Sequence, residues 1–368
     1  MPDLHESPLL PLLEPFGARI HRGDEGPRIS DFGDAEAEAL LARRSVVLID
    51  RPDRARFEIR GAKVRRLLNG QLTADPRNLA GGYGLEALHL SPKGKVLAEL
   101  CLLARAEDRI LLDLPRLVLE PMRLRFERMA VLDDCLLSPP EAAPAVFDLI
   151  GPEAGAVLAD LFGIDLHAME RPGRNLEFEH QGGAVVLSLH AETGERTFRL
   201  SAAPAVATEI AGVILSREGL RPAGFDALRI LQLEVGRPSF GVDYGPDNLA
   251  PECRMDHTID YTKGCYVGQE VVARIRTYGQ VNRKLVSLCS SDVLRAGAAL
   301  RDDSGQERGL IRSAAHSPQL DAWVALAMVH RDHIEAGTEL LATLDFRQAR
   351  ATVVDGPLEG TAFPIARS

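Results

Sequence analysis

An α+β protein closed by a small C-terminal β-barrel is the fold class this sequence predicts. Three observations carry the prediction. Between Asp34 and Glu218, segments with helical spacing are interleaved with short apolar strands. Near Asn282 the pattern changes to closely spaced short strands, separated by turn signals such as Asp303-Ser304-Gly305. The chain has 368 residues, 45% hydrophobic and 26% charged, enough for two or three domains with a sizeable core. The expected division is an α+β region over 1–281, itself split near 140, followed by a barrel over 282–368.

Residues 1–32 are rich in Pro, Gly and charge and are expected to wrap the surface. Asp34 to Arg44 reads as a helix with Asp34 as N-cap. Ser45–Asp50 and Ala55–Ile59 read as strands, and Ala62–Asn69 as a short helix ended by Gly70. Ala87–Leu90, Val96–Ala104 and Arg109–Leu114 read as successive strands. Pro115–Met129 has helical spacing, with Pro121 expected to shorten or kink it. In the second stretch Pro152–Phe162 and Ala203–Glu218 read as helices, and Ala184–His190 and Thr197–Leu200 as strands. The barrel strands are expected at Lys284–Leu288, Gly309–Ser313, Trp323–Val329, Glu339–Leu344 and Arg347–Val354.

Composition narrows the function. The formal charge is −10, from 43 basic and 53 acidic residues, which argues against a general nucleic-acid or anionic-membrane binder. No apolar run approaches the ~20 residues of a transmembrane helix. Met1-Pro2-Asp3-Leu4-His5-Glu6 lacks the positive segment of a secretory signal. The five cysteines, Cys101, Cys135, Cys253, Cys265 and Cys289, form no Cys-x-x-Cys pair and suit reduced thiols in a cytoplasm. Phosphate-binding glycine loops, a dinucleotide fingerprint and a serine-hydrolase elbow are all absent from the sequence. His330 and His333 lack the further ligands of a zinc site.

Two features draw attention. Asp226–Val235 reads as a helix with Asp226 as N-cap and Gly236 just beyond its end. Glu234 lies beside its apolar stripe and in its last turn, where the helix dipole disfavours an anion. Either a salt bridge to an arginine such as Arg229 or Arg237 compensates it, or exposure does, or it accepts hydrogen bonds from a ligand with two adjacent N–H groups. A pterin ring has such a pair. The second feature is Lys263-Gly264-Cys265-Tyr266-Val267-Gly268-Gln269-Glu270. In an extended backbone Lys263 and Cys265 point the same way, and a nearby cation favours the thiolate. Residue type alone favours a buried structural cysteine.

The stretch Leu228–Arg283, and within it the Lys-Gly-Cys-Tyr-x-Gly-Gln-Glu motif, resembles the YgfZ-type folate-binding proteins implicated in iron–sulfur cluster maintenance. These share a superfamily with the glycine cleavage T-protein, an aminomethyltransferase. Leu68-Asn69-Gly70-Gln71-Leu72-Thr73-Ala74-Asp75 resembles that group's early helix-to-loop segment, and Ser91–Leu100 its central hairpin. The resemblance implies ferredoxin-like α/β halves assembled with the barrel around a folate cleft, and tetrahydrofolate or a derivative as cofactor. It implies that Glu234 holds the pterin, and that Asp113 falls where T-proteins use an Asn. It implies Cys265 as the reactive thiol, with a transient iron–sulfur cluster contact, and Lys263 as the group lowering its pKa. Tyr266, Gln269 and Arg274 would line or brace the cleft. The implied partners are folate and iron–sulfur enzymes or assembly proteins.

One departure separates the relatives. T-proteins resemble Gly-Gly-x-x-Asp-Asp in the hairpin, with the first Asp supporting the chemistry. Here the run reads Gly94-Lys95-Val96-Leu97-Ala98-Glu99. Alanine cannot carry a proton, so aminomethyl transfer is expected to lack its acid. The expectation is therefore a cytoplasmic folate-binding protein supporting iron–sulfur cluster assembly or repair. Its rivals are a folate-dependent aminomethyltransferase of the glycine cleavage type and a regulatory folate-binding module linked to tRNA modification.

Overall fold

The computed structural model describes residues 6–23, 26–139, 144–167, 169–279, 281–345 and 347–356. The N-terminal reading of Met1–Glu6 thus falls, but for Glu6, outside the described residues.

Two larger sheets, a two-stranded ribbon of Arg19–Gly23 with Gly26–Asp31, and a barrel make up the α+β architecture. The first sheet has five strands in the order Gly84–Leu90, Val96–Ala106, Arg109–Pro115, Arg54–Arg60 and Leu136–Leu137. The second has six, in the order Asn175–His180, Gly183–His190, Thr197–Ala202, Ala145–Ile150, Val47–Asp50 and Arg221–Pro222. The barrel closes when Arg347–Val354 pairs with Arg283–Ser290, which leaves no sheet edge open. Its other strands are Ala322–His330, Glu307–Ser317, Ala299–Arg301 and Glu339–Leu344.

The two halves are not consecutive in sequence. Val47–Asp50 pairs with Ala145–Ile150, so the first fifty residues complete the second sheet. The N-terminal segment does more than wrap the surface: Leu9, Leu10, Leu13 and Ile29 are buried in that half's core with Phe147, Leu187 and Ile210. Conversely, Phe240, Tyr244, Cys253, Ile259, Tyr266 and Val272 return to the core of the first half, beside Phe57, Leu100 and Phe126.

Local chemistry explains most element ends. Asp34 accepts from the Glu36 and Ala37 amides and caps the helix Ala35–Arg44. Pro121 does not kink its helix. That helix runs Leu119–Ala130, which puts Pro121 in the first turn, where no intrahelical N–H is needed. The helix Val64–Gln71 runs through Gly70 rather than stopping before it. The helix Phe225–Glu234 starts from Gly224, because a side chain there would collide with the Ser30 carbonyl, 2.2 Å from the position of a Cβ. Asp226 sits in its first turn rather than at the cap.

The two sheets meet through a layer of buried charge. From the first sheet, Asp113 pairs with Arg54 and with Arg56, whose Nε lies 2.7 Å away. From the second, Arg199 pairs with Asp148 at 2.8 Å and with Glu192, and Arg51 binds the same two acids. Arg56 crosses between the sheets to Ser201 at 2.5 Å and Ser188 at 3.2 Å. Satisfied in this way, the charges tolerate burial and fix how the sheets face each other.

Candidate functional site in the inter-sheet cleft

Side chains alternate along Val96–Ala106, and the alternation decides what faces the cleft. Ala98, Leu100 and Leu102 enter the hydrophobic core, with Ala98 fully buried opposite His89. Glu99 and Cys101 point the other way, toward the second half. Position 98 faces the core, and the residue facing the cleft is Glu99.

Glu99 lines a small inner recess of about 130 Å³ with Glu192, Arg229, Gln232 and Phe240. The Tyr244 hydroxyl donates to it, and Arg237 Nη2 lies 3.4 Å from its Oε1. Burial, then the Glu99 charge, keeps the Tyr244 proton bound well above a phenol's ordinary range.

A separate outer chamber of about 640 Å³ is lined by Arg237, which also approaches Glu99 of the inner recess. Arg237 forks onto Glu86 at 2.8 and 3.0 Å. His257 Nε2 lies 2.7 Å from Glu86. Burial pushes Glu86 up, but Arg237 and His257 outweigh it and hold the carboxyl below the usual carboxylate range. The chamber's apolar walls are Leu85, Ile259 and Tyr261, with the Arg276 guanidinium 3.9 Å over the Tyr261 ring. His190 and Cys101 also line it. Burial, then the Arg199 charge, lowers His190 to about 4, and burial pushes the Cys101 thiol up.

The residues expected at the site from sequence do not line either of these two spaces. Glu234 is 4% exposed and joins three parts of the molecule rather than opening onto either space. Arg43 Nη2 lies 2.5 Å from it, and Ser317 of the barrel donates to it at 2.7 Å. The compensating arginine is thus Arg43, neither Arg229 nor Arg237. Asp113 is fully buried and saturated by Arg54 and Arg56. Burial alone would raise its pKa, but these arginines, with Arg199, hold it well below the carboxylate range.

The motif around Cys265 is a structural junction. Lys263 Nζ donates to the carbonyls of Asn69, Leu72 and Ala74 at 2.8, 2.7 and 2.6 Å. All three ammonium hydrogens have acceptors, so Lys263 clamps the 69–74 segment and is not directed at the thiol. Burial lowers its pKa to about 8. Tyr266 packs in the core under Lys263, 5.2 Å from ring centroid to Nζ. Gly268 adopts φ +85°, and a Cβ there would stand 2.6 Å from the Ser91 carbonyl of the hairpin. Gln269 reaches the Lys263 carbonyl at 3.5 Å, and Arg274 is exposed. Neither lines the two spaces described above. Cys265 itself is exposed, on the turn between two buried anchors.

Sequence reasoning missed Glu86, Glu99 and His257 as a group. Polar residues at cleft-facing positions of otherwise apolar strands were the available signal for the first two.

No helix among the described residues is long and apolar enough to cross a membrane. No group of three or more His, Cys, Asp or Glu side chains among them is arranged to hold a metal.

Comparison with known proteins agrees with this architecture. Residues 283–358 match the glycine cleavage T-protein C-terminal barrel domain. An aminomethyltransferase of Saccharopolyspora erythraea is 28% identical over 351 residues, covering 91% of this chain and 90% of its own. One from Moorella thermoacetica is 28% identical over 369 residues, covering 97% and 98%. The crystal structure of glycine cleavage system aminomethyltransferase T from Bartonella henselae superposes with a TM-score of 0.89 at 23% identity, over 97% of this chain and 98% of that one, and so shares the fold. Residues 24–263 match the GCVT N-terminal domain, about two thirds of the sequence, and the chain belongs to the glycine cleavage T-protein family.

Proposed function

We propose that the protein binds a reduced folate in the inter-sheet cleft and acts as a folate-dependent aminomethyltransferase. The observation that carries this reading is Glu99, an acid on the hairpin that faces the cleft. Similarity to proteins called aminomethyltransferase along nearly the whole chain supports it. The residues present also fit the cofactor. A chamber of about 640 Å³ lies within the range of ~300–1,000 Å³ usual for such ligands. Leu85, Ile259 and Tyr261 offer apolar and aromatic surface to a flat ring, and Arg276 offers a cation to an anionic tail.

Bound tetrahydrofolate would supply the nitrogen that accepts a one-carbon unit. The protein's part is to position and to manage protons. Arg237 fixes Glu86 on one side and approaches Glu99 on the other. Tyr244 donates to one Glu99 oxygen, which leaves that carboxylate oriented as an acceptor inside the cleft. The test is formation of the methylene-folate product from an aminomethyl-loaded lipoyl carrier. Wild type should turn over, and Glu99→Gln should lose about 10²-fold or more. Absence of turnover in wild type, or full activity in Glu99→Gln, overturns the reading.

A second reading is favoured by one observation. Cys265 is the exposed cysteine of the five, and it sits in the Lys263–Glu270 motif. On that reading the protein is of the YgfZ type and supports iron–sulfur cluster assembly or repair. Cluster-enzyme activity in a deletion strain would then fail to recover with Cys265→Ala.

A further inference from the structure

We propose that His257 is the proton-exchanging group of the outer chamber, with Glu86 and Arg237 as its positioning residues. The proposal rests on reading that chamber as the reduced-folate site.

The shorter of the two contacts at Nε2 assigns which ring nitrogen is available. His257 Nε2 lies 2.7 Å from Glu86 Oε2 and 3.2 Å from Arg237 Nη1. A guanidinium only donates and a carboxylate only accepts. The contact to Glu86 is the shorter, so Nε2 is assigned the hydrogen and gives it to Glu86, and the 3.2 Å approach of Arg237 Nη1 is then not a hydrogen bond. The neutral ring is then the tautomer with a bare lone pair on Nδ1. Nδ1 has no partner among the described residues, and the side chain is 28% exposed at the chamber wall. Glu86 is held against rotation by the two bonds from Arg237, and Arg237 in turn is anchored by Glu99.

Charged groups surround the ring on two sides. On the cleft side it faces Glu86 and Arg237. On the barrel side it shares a depression with Arg254, Asp256, Lys284, Glu335 and Asp355. The chamber's other imidazole is different. His190 Nε2 is bound to Ser188 at 2.9 Å, and the ring is buried beneath the Arg199 network.

On ligand binding the Nδ1 lone pair takes up a proton from the buffered solvent, and the N–H bond so formed donates to a nitrogen or oxygen lone pair of the ligand. The buffer supplies that proton, and the Glu86 carboxylate balances the imidazolium charge. The reverse step returns the proton. A carboxylate-oriented imidazole with one free nitrogen is the arrangement such transfers use.

The test is calorimetric titration of the full chain with tetrahydrofolate, in two buffers of different ionisation enthalpy, from pH 5.5 to 8. Wild type should exchange up to about one proton on binding, to an extent that varies with pH. His257→Gln should lose that exchange and keep its affinity within about tenfold. Glu86→Gln should bind but move the pH profile of the exchange downward, since the neutral amide no longer favours the imidazolium. A purely structural Glu86 would leave the profile unmoved. Tetrahydrofolate binding to wild type without proton exchange, or exchange that persists in His257→Gln, overturns the inference alone. Failure of tetrahydrofolate to bind wild type overturns both the folate reading and this inference.

Discussion

Glu234 ends the helix Phe225–Glu234 with its carboxylate against Arg43 and Ser317, both from other parts of the chain. Removing one partner of a buried pair leaves the other charge uncompensated, a cost of about 3–5 kcal/mol. Glu234→Ala should therefore lower the denaturation midpoint sharply while leaving any tetrahydrofolate-induced stabilisation intact. A stable variant that no longer responds to tetrahydrofolate would restore Glu234 as a ligand contact. Asp50 makes the opposite kind of buried acid. Burial raises its pKa from 3.8 to about 7, against the Ser7 hydroxyl, which lowers it. The folded protein thus holds a proton that the unfolded chain releases. The stabilisation linked to that proton is complete below about pH 4 and is lost as pH rises through 7. The full shift corresponds to at most about 4 kcal/mol. Asparagine mimics the protonated form. Asp50→Asn should flatten the dependence of melting temperature on pH between 4 and 7, and should melt higher than wild type at pH 8. An unchanged profile would remove Asp50 as its source.

At the scale of elements, period-two alternation and turn residues made most strands legible, and the barrel region with them. Ala145–Ile150 escaped because all six of its residues are buried, so it has no polar face to alternate. The proline-rich start hid Leu9, Leu10 and Leu13, which anchor a helix only four residues long. The same alternation sorts the side chains of the hairpin. Read as a string, Ala98 looks like a lost acid. Read on the strand, Ala98 belongs to the core and Glu99 to the cleft. The Lys263–Glu270 motif was visible as a motif, but its role was not. Its lysine meets carbonyls about 190 positions earlier in the chain, at Asn69, Leu72 and Ala74. No local spacing announces such a partnership.

Across the whole molecule, the candidate site exists because distant segments are brought together. Glu86 and His257 are 171 positions apart, and Arg237 and Glu99 are 138 apart. Each sheet borrows chain from the other half, and the buried layer of Arg54, Arg56, Asp113, Asp148, Glu192 and Arg199 holds them face to face. Helix Phe225–Glu234 carries the barrel as well, through Arg229 to Ser313 at 2.6 Å and Ser317 to Glu234. The outer chamber lies where both sheets and the 257–262 loop converge, and Arg237 connects it to Glu99. If this convergence is a folate site, ligand binding must stabilise the native fold. The most direct measurement is the melting temperature of the wild-type protein with increasing tetrahydrofolate. At a hundred times the dissociation constant the stabilisation is about 2.7 kcal/mol, and the account predicts a rise of several degrees that grows with ligand concentration. A melting temperature that stays flat to millimolar tetrahydrofolate would contradict it.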